Sequence, residues 1–238
     1  MMRTIFHLLL SLTLYTHAQE DITTSRAPKA QKAAPAFRVL FFQKPSNLPS
    51  ELTLHVNGKP QQQVALPKYQ FTSNITFRKA RTTTLTFADQ SYADPEQLQG
   101  FPSIEVPHSW SKFLLLAFED PSNKKLPIKF YPINASSGTF ENGDLLFLNL
   151  SQYELQGKVG SSSLKLPGSK SKKLSKIAPD KSDVQVKIDI LKPNTPQKKQ
   201  WFIYQAWRYR TDQRLLVFIF TPKAKVNPTY YATEIRNF

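Results

Sequence analysis

The apolar residues of this chain recur at every second position in short runs, and turn residues separate one run from the next. In Glu51–Val56 (ELTLHV), Leu52, Leu54 and Val56 share one face. In Val184–Leu191 (VQVKIDIL), Val184, Val186, Ile188 and Ile190 point one way, and Gln185, Lys187 and Asp189 point the other. A period of two belongs to strands, whose successive side chains leave opposite faces, and not to helices with about 3.6 residues per turn. Asn57-Gly58 follows the first run, and both residues tolerate the positive φ angles of a tight hairpin turn. Lys112–Phe118 (KFLLLAF) and Leu215–Phe220 are apolar on both faces, the mark of strands covered on both sides. The clearest helix signal is Asp94-Pro95-Glu96-Gln97-Leu98-Gln99-Gly100, with an Asp cap, Pro at the first helical position and Gly beyond the end. It is long enough for one turn only.

Many strands and almost no helix predict an all-β fold: one large or two small immunoglobulin-like antiparallel β-sandwiches. The turn-rich Glu119–Lys125 (EDPSNKK) marks the internal division, giving segments 37–120 and 126–225 and a tail at 226–238. No internal repeat survives alignment. In its alternating strand, His55 lies opposite Leu54 and Val56 and is expected to face solvent.

Residues 1–18 read as a secretory signal: Arg3, then an apolar stretch over Ile5–Tyr15, then Thr16-His17-Ala18 with a small residue for cleavage. The apolar stretch is shorter than the roughly 20 residues that span a bilayer. Residues 19–36, rich in Ala, Pro and Lys, read as a flexible leader. No later stretch reaches membrane-spanning length, so the mature chain is expected in a periplasm, at a cell surface or outside the cell. The chain has no cysteine. That removes thiolate chemistry and inclines the compartment towards a bacterial envelope, since exported animal proteins of this size usually carry disulfides. Asn-x-Ser/Thr sequons begin at Asn74, Asn134 and Asn149, and they matter only outside that setting.

Charge is unevenly spread. Residues 19–157 hold 14 basic and 12 acidic side chains, whereas 158–238 hold 17 basic and 5 acidic. Such a field attracts polyanions and weakens with salt. For an exported protein the expected partners are an anionic glycan, a lipid head group or a cell-envelope protein. Nucleic acid is a less accessible one.

Positive signs of catalysis are lacking. Among seven glycines no Gly-x-Gly occurs, which excludes Gly-rich nucleotide cradles. Gly-x-Ser-x-Gly is absent, and past the signal only His55 and His108 remain, without metal-ligand spacing. No cofactor is expected. An acid pair assembled in space, from Glu105, Glu119, Asp120, Glu141 and Asp144, stays open as the hydrolase alternative.

Two features rise above this background. The first is Trp201–Tyr209 (WFIYQAWRY), with Trp201, Ile203, Gln205, Trp207 and Tyr209 expected on one face and Phe202, Tyr204, Ala206 and Arg208 on the other. Trp201, Trp207, Arg208, Tyr209 and Arg210 are candidate binding residues, able to stack on sugar rings or hold an anion. The competing role for this strand is core. The second is the acid-free cluster Lys165, Lys170, Lys172, Lys173 and Lys176, read as a mobile loop that either touches a polyanion or is merely solvated.

FRVLFFQKPSNLPSELTLHVNGKP (Phe37–Pro60) resembles the opening of small exported immunoglobulin-like domains of unknown function in bacteria. GDLLFLNLSQYELQGKVGSSSLKLPGSKSKKLS (Gly143–Ser175) is similar to a strand–loop–strand of bacterial immunoglobulin-like domains, with "N-x-S" and then "L-x-L-P-G". Together these stretches cover about a quarter of the chain and imply a fold without an activity. LPIKFYPIN (Leu126–Asn134) and NPTYY (Asn227–Tyr231) resemble segments of periplasmic pilus-assembly chaperones. That resemblance implies a module that assists assembly of a secreted subunit. Phe238 is similar to the closing residue of outer-membrane barrels, but Glu234 and Arg236 share its face, where lipid would demand apolar residues.

Overall fold

A computed structural model describes residues 34–42, 45, 47–67, 69–192, 195–222 and 227–238. The expected signal at residues 1–18 and residues 19–33 of the expected leader lie outside them. The described residues form sixteen strands and one 3-10 turn. No helix among them is long and apolar enough to cross a membrane.

The first eight strands are β1 (Ala36–Phe41), β2 (Glu51–Val56), β3 (Lys59–Ala65), β4 (Ile75–Thr76), β5 (Thr83–Ala88), β6 (Ser103–Val106), β7 (Lys112–Glu119) and β8 (Ile128–Asn134). They make an inner sheet ordered β4-β1-β7-β8 and an outer sheet ordered β3-β2-β5-β6. The remaining strands are β9 (Asp144–Asn149), β10 (Glu154–Val159), β11 (Ser162–Leu166), β12 (Lys170–Ser175), β13 (Asp183–Lys192), β14 (Thr195–Arg208), β15 (Arg214–Phe220) and β16 (Thr229–Ile235). Their inner sheet is β12-β9-β15-β16 and their outer sheet β11-β10-β13-β14. Adding eight to each strand number of the first pair of sheets gives the second pair. The chain is therefore a structural duplication, a repeat that sequence alignment does not reveal.

The duplication extends to strand direction. β1 runs parallel to β7, and β9 runs parallel to β15. The expected all-β sandwich fold is present, and its antiparallel pairing is broken by this one parallel pair in each inner sheet. The intervening strands of each copy carry the chain out through the outer sheet and back, which gives the long crossover that parallel neighbours need. β8 lies beyond the Glu119–Lys125 turn yet pairs with β7, so the chain passes from the first sandwich to the second between β8 and β9.

Period-two alternation explains how four sheets stack. On β1, Phe37, Val39 and Phe41 enter the first core, and so do Phe113, Leu115 and Ala117 of β7. The alternate residues Leu40, Leu114 and Leu116 point the other way and meet Leu148, Leu216 and Phe218 of β9 and β15. Leu145, Phe147, Val217 and Ile219 then face the second core. The layer order is first outer, first inner, second inner, second outer, with three apolar layers between. Strands apolar on both faces are the inner ones, which have no polar side to show.

The expected turn at Asp94–Gly100 forms as a 3-10 turn, Pro95–Leu98, capped by the Asp94 carboxylate, which accepts from Glu96 N–H at 2.9 Å. Buried Leu98 and Phe101 anchor this connection over the first outer sheet. It covers His55, which is fully buried instead of facing solvent. Alternation had put His55 on the outward face, and the connection between β5 and β6 roofs that face. Tyr92 N–H donates to His55 Nε2 at 3.1 Å, while Nδ1 has no hydrogen-bond partner among the described residues.

Burial pushes the His55 pKa below the ordinary histidine value, because the charged ring would sit away from water. The unfolded chain then takes up a proton that the folded one refuses, so this contribution to stability is complete above the unfolded value of about 6.5 and is lost progressively as pH falls from there towards the lower folded value. The urea midpoint is expected to drop between pH 7.5 and 5.5, and to drop less in His55→Gln. Equal slopes in the two proteins would refute this role.

Candidate functional site

The outer sheets are equivalent in topology but not in cover. β5 reaches β6 through the 89–102 connection that roofs the first outer sheet. β13 ends at Lys192 and β14 begins at Thr195, so among the described residues the second outer sheet has no such roof. By strand order and distance from the hairpin turn, buried His55 and Thr86, opposite each other on β2 and β5, correspond to Lys158 and Lys187 on β10 and β13. Both lysines are exposed.

Register arranges the uncovered face in rows across the strands. One row runs Tyr204, Lys187, Lys158, Ser163, and the next runs Trp201, Asp189, Gln156, Lys165. Lys199 stands beside Leu191 at one end of the face, and Arg208 beside Asp183 at the other. Lys165 pairs with Glu154 at 3.8 Å and Arg208 with Asp183 at 3.2 Å. Lys158, Lys187 and Lys199 have no ion-pair partner among the described residues. Directly opposed residues on antiparallel strands hold their Cβ atoms about 4.5–5.5 Å apart, so the opposed lysines Lys158 and Lys187 repel.

Trp201 reaches this face through a departure from simple alternation. Ile188 pairs with Ile203, but Asp189 pairs with Trp201, which leaves Phe202 as an extra, bulged residue. The bulge moves Trp201 off the face of Ile203 and onto that of Tyr204. Trp201 is 78% exposed. Its ring stacks on Tyr204, with centroids 4.9 Å apart and planes at 17°. The Tyr204 hydroxyl donates to Asp189 at 2.9 Å, a bond that raises its pKa above the ordinary tyrosine value. The displaced Phe202 packs edge-on against Tyr230 of β16.

The other expected site residues are dispersed. Trp207 lies on the inner face, stacked on Phe147, and Tyr209 is buried with its hydroxyl donating to the Gly143 carbonyl at 2.8 Å. Both serve the second core. Arg210 forms a two-pronged bond with Asp212 at the turn, at 3.0 and 2.7 Å. The lysine cluster is no loop: β11 and β12 carry it, with Lys170, Lys172 and Lys173 on an edge strand of the inner sheet. Lys172 donates to the Ser163 carbonyl, Lys173 pairs with Asp144 at 3.4 Å, and Lys176 follows β12 at positive φ. Of the five, only Lys165 belongs to the uncovered face.

Sequence reasoning placed Lys187 and Asp189 on an exposed side but did not join them to Lys158 and Gln156, because nothing local announces that β10 pairs with β13. Of the carboxylates weighed for an acid pair, Glu105 and Glu119 lie on β6 and β7, and Asp120, Glu141 and Asp144 serve turns. Glu141 accepts from Gly138 N–H and Ser137, and Asp120 from Ser122; these bonds hold both carboxyls below the usual range. Among the described residues no group of three His, Asp or Glu is placed to hold a metal ion. No protein-family model matches this chain, and no curated protein matches it in sequence.

Proposed function

We propose that this is an exported, non-catalytic protein that binds an anionic glycan, a lipid head group or another polyanion through its basic half. The surface that serves is the uncovered face of the second outer sheet. The carrying observation is the contrast between copies: where the first sandwich buries His55 and Thr86 under a connection, the second exposes Lys158 and Lys187 beside Trp201 and Tyr204. Lysine is a hydrated point charge, so binding is electrostatic and salt-sensitive.

Retention on immobilised heparin and on anionic vesicles tests the reading. The wild-type protein is expected to bind at low salt and to elute at moderate salt. Lys158→Gln/Lys187→Gln should elute at clearly lower salt than Lys170→Gln/Lys176→Gln, which removes as many charges away from the face. Equal elution of the two double variants would show that net charge alone does the binding.

A further inference from the structure

We infer that the ligand of this face is an acidic polysaccharide: a sugar ring stacks on the free side of Trp201, and a carboxylate or sulfate of the same chain bridges Lys158 and Lys187. The inference rests on the polyanion reading above and narrows it to one chemical class. Three observations carry it.

First, Tyr204 covers one side of the Trp201 indole and leaves the other bare. A supported aromatic plane offers its face to the C–H face of a sugar ring. Second, Lys158 and Lys187 oppose each other with no carboxylate between them. A sheet tolerates that repulsion at a cost, which an anion lying between the two ammonium groups removes. Each step from one strand to the next is about 4.8 Å, so a chain running across β14, β13 and β10 reaches both the indole and the lysine pair. Third, Asp189 lies beside Trp201 in its row and Gln156 lies beyond it. A carboxylate and an amide there accept hydrogen bonds from sugar hydroxyls. Anionic phospholipid head groups such as phosphatidylglycerol present no ring for the bare face of the indole. A bare polyphosphate chain has no ring to place on the indole and no hydroxyl for Asp189.

Three probes separate these cases: heparin, inorganic polyphosphate and vesicles containing phosphatidylglycerol. Trp201→Ala, at an exposed position, is expected to weaken heparin binding about tenfold, the scale of one lost stacking contact, and to leave polyphosphate binding unchanged. Heparin should quench Trp emission in the wild type and not in this variant. Lys158→Gln/Lys187→Gln should weaken heparin and polyphosphate alike. If Trp201→Ala leaves heparin binding intact while the lysine variant weakens it, the glycan assignment falls and the polyanion reading stands. If Trp201→Ala reduces vesicle binding as much as heparin binding, the ligand is a membrane surface and the glycan assignment falls too. If the lysine variant changes none of the three, the face is not the binding surface and both ideas fail.

Discussion

Phe218→Ala is expected to destabilise the protein by about 3–5 kcal/mol, the range for deleting a buried aromatic ring. Phe218 is fully buried in the middle layer, where its ring lies 4.8 Å from Phe42 and 6.5 Å from Phe118 of the first sandwich, and 5.3 Å from Tyr231 on β16. Its neighbours are held by two separate sheets, each packed on its other side by its own core, so neither sheet can move to fill the void. Guanidinium unfolding measures the loss. The wild type is expected to unfold in one transition, because the seam is as apolar as either core, and the variant in a broader or split one. A change of less than about 1 kcal/mol with an unaltered single transition would mean that Phe218 does not carry the coupling between the sandwiches.

Asn149→Ala is expected to cost a similar amount without opening a large cavity. Asn149 is fully buried. Its Nδ2 donates to the carbonyls of Tyr153, Leu166 and Pro167 at 2.7, 3.2 and 3.1 Å. Its Oδ1 accepts from Ser151 N–H at 3.1 Å and Ser151 Oγ at 2.7 Å. Alanine leaves these groups buried without a partner, at about 1–3 kcal/mol for each that water cannot reach. An expected loss of about 3–5 kcal/mol follows if part of the network recruits water. Guanidinium unfolding measures this loss too, and Ser151→Ala, which removes only the hydroxyl, should show the smaller effect. The reverse order would show that Asn149 is not the centre of the network. The clasp also explains the "N-x-S … L-x-L-P-G" pattern: Asn149 ties the loop after β9 to the end of β11, and a Cβ at Gly168 would lie 2.7 Å from the Ser151 carbonyl. An amide engaged in this way is not available as a glycosylation acceptor.

Strand content was legible because alternation is a local property. Pairing was not. β1 meets β7 and β9 meets β15 across long stretches of chain, and inner-sheet positions ask only for an apolar residue of fitting size. The duplication is hidden for that reason: corresponding strands share order and direction while their side chains differ. His55 and Trp201 were misplaced for two separate reasons. Alternation assigns a face but not its cover, so it could not foresee the connection that buries His55. It also assumes an unbroken register, and the extra residue Phe202 reverses the direction of Trp201. The candidate face was half visible in the sequence, as Lys187 and Asp189 on the outward side of β13. Its other half, Lys158 and Gln156, needed the knowledge that β10 is the neighbour.

The layer order has a mechanical consequence. Sheets pack about 10 Å apart, so the second outer sheet stands roughly 30 Å from the first across three filled apolar layers. The lysine-bearing face of the second outer sheet and the roofed face of the first therefore look in opposite directions from the two ends of one stiff stack. A continuous apolar seam between the inner sheets leaves no hinge that could turn one face relative to the other.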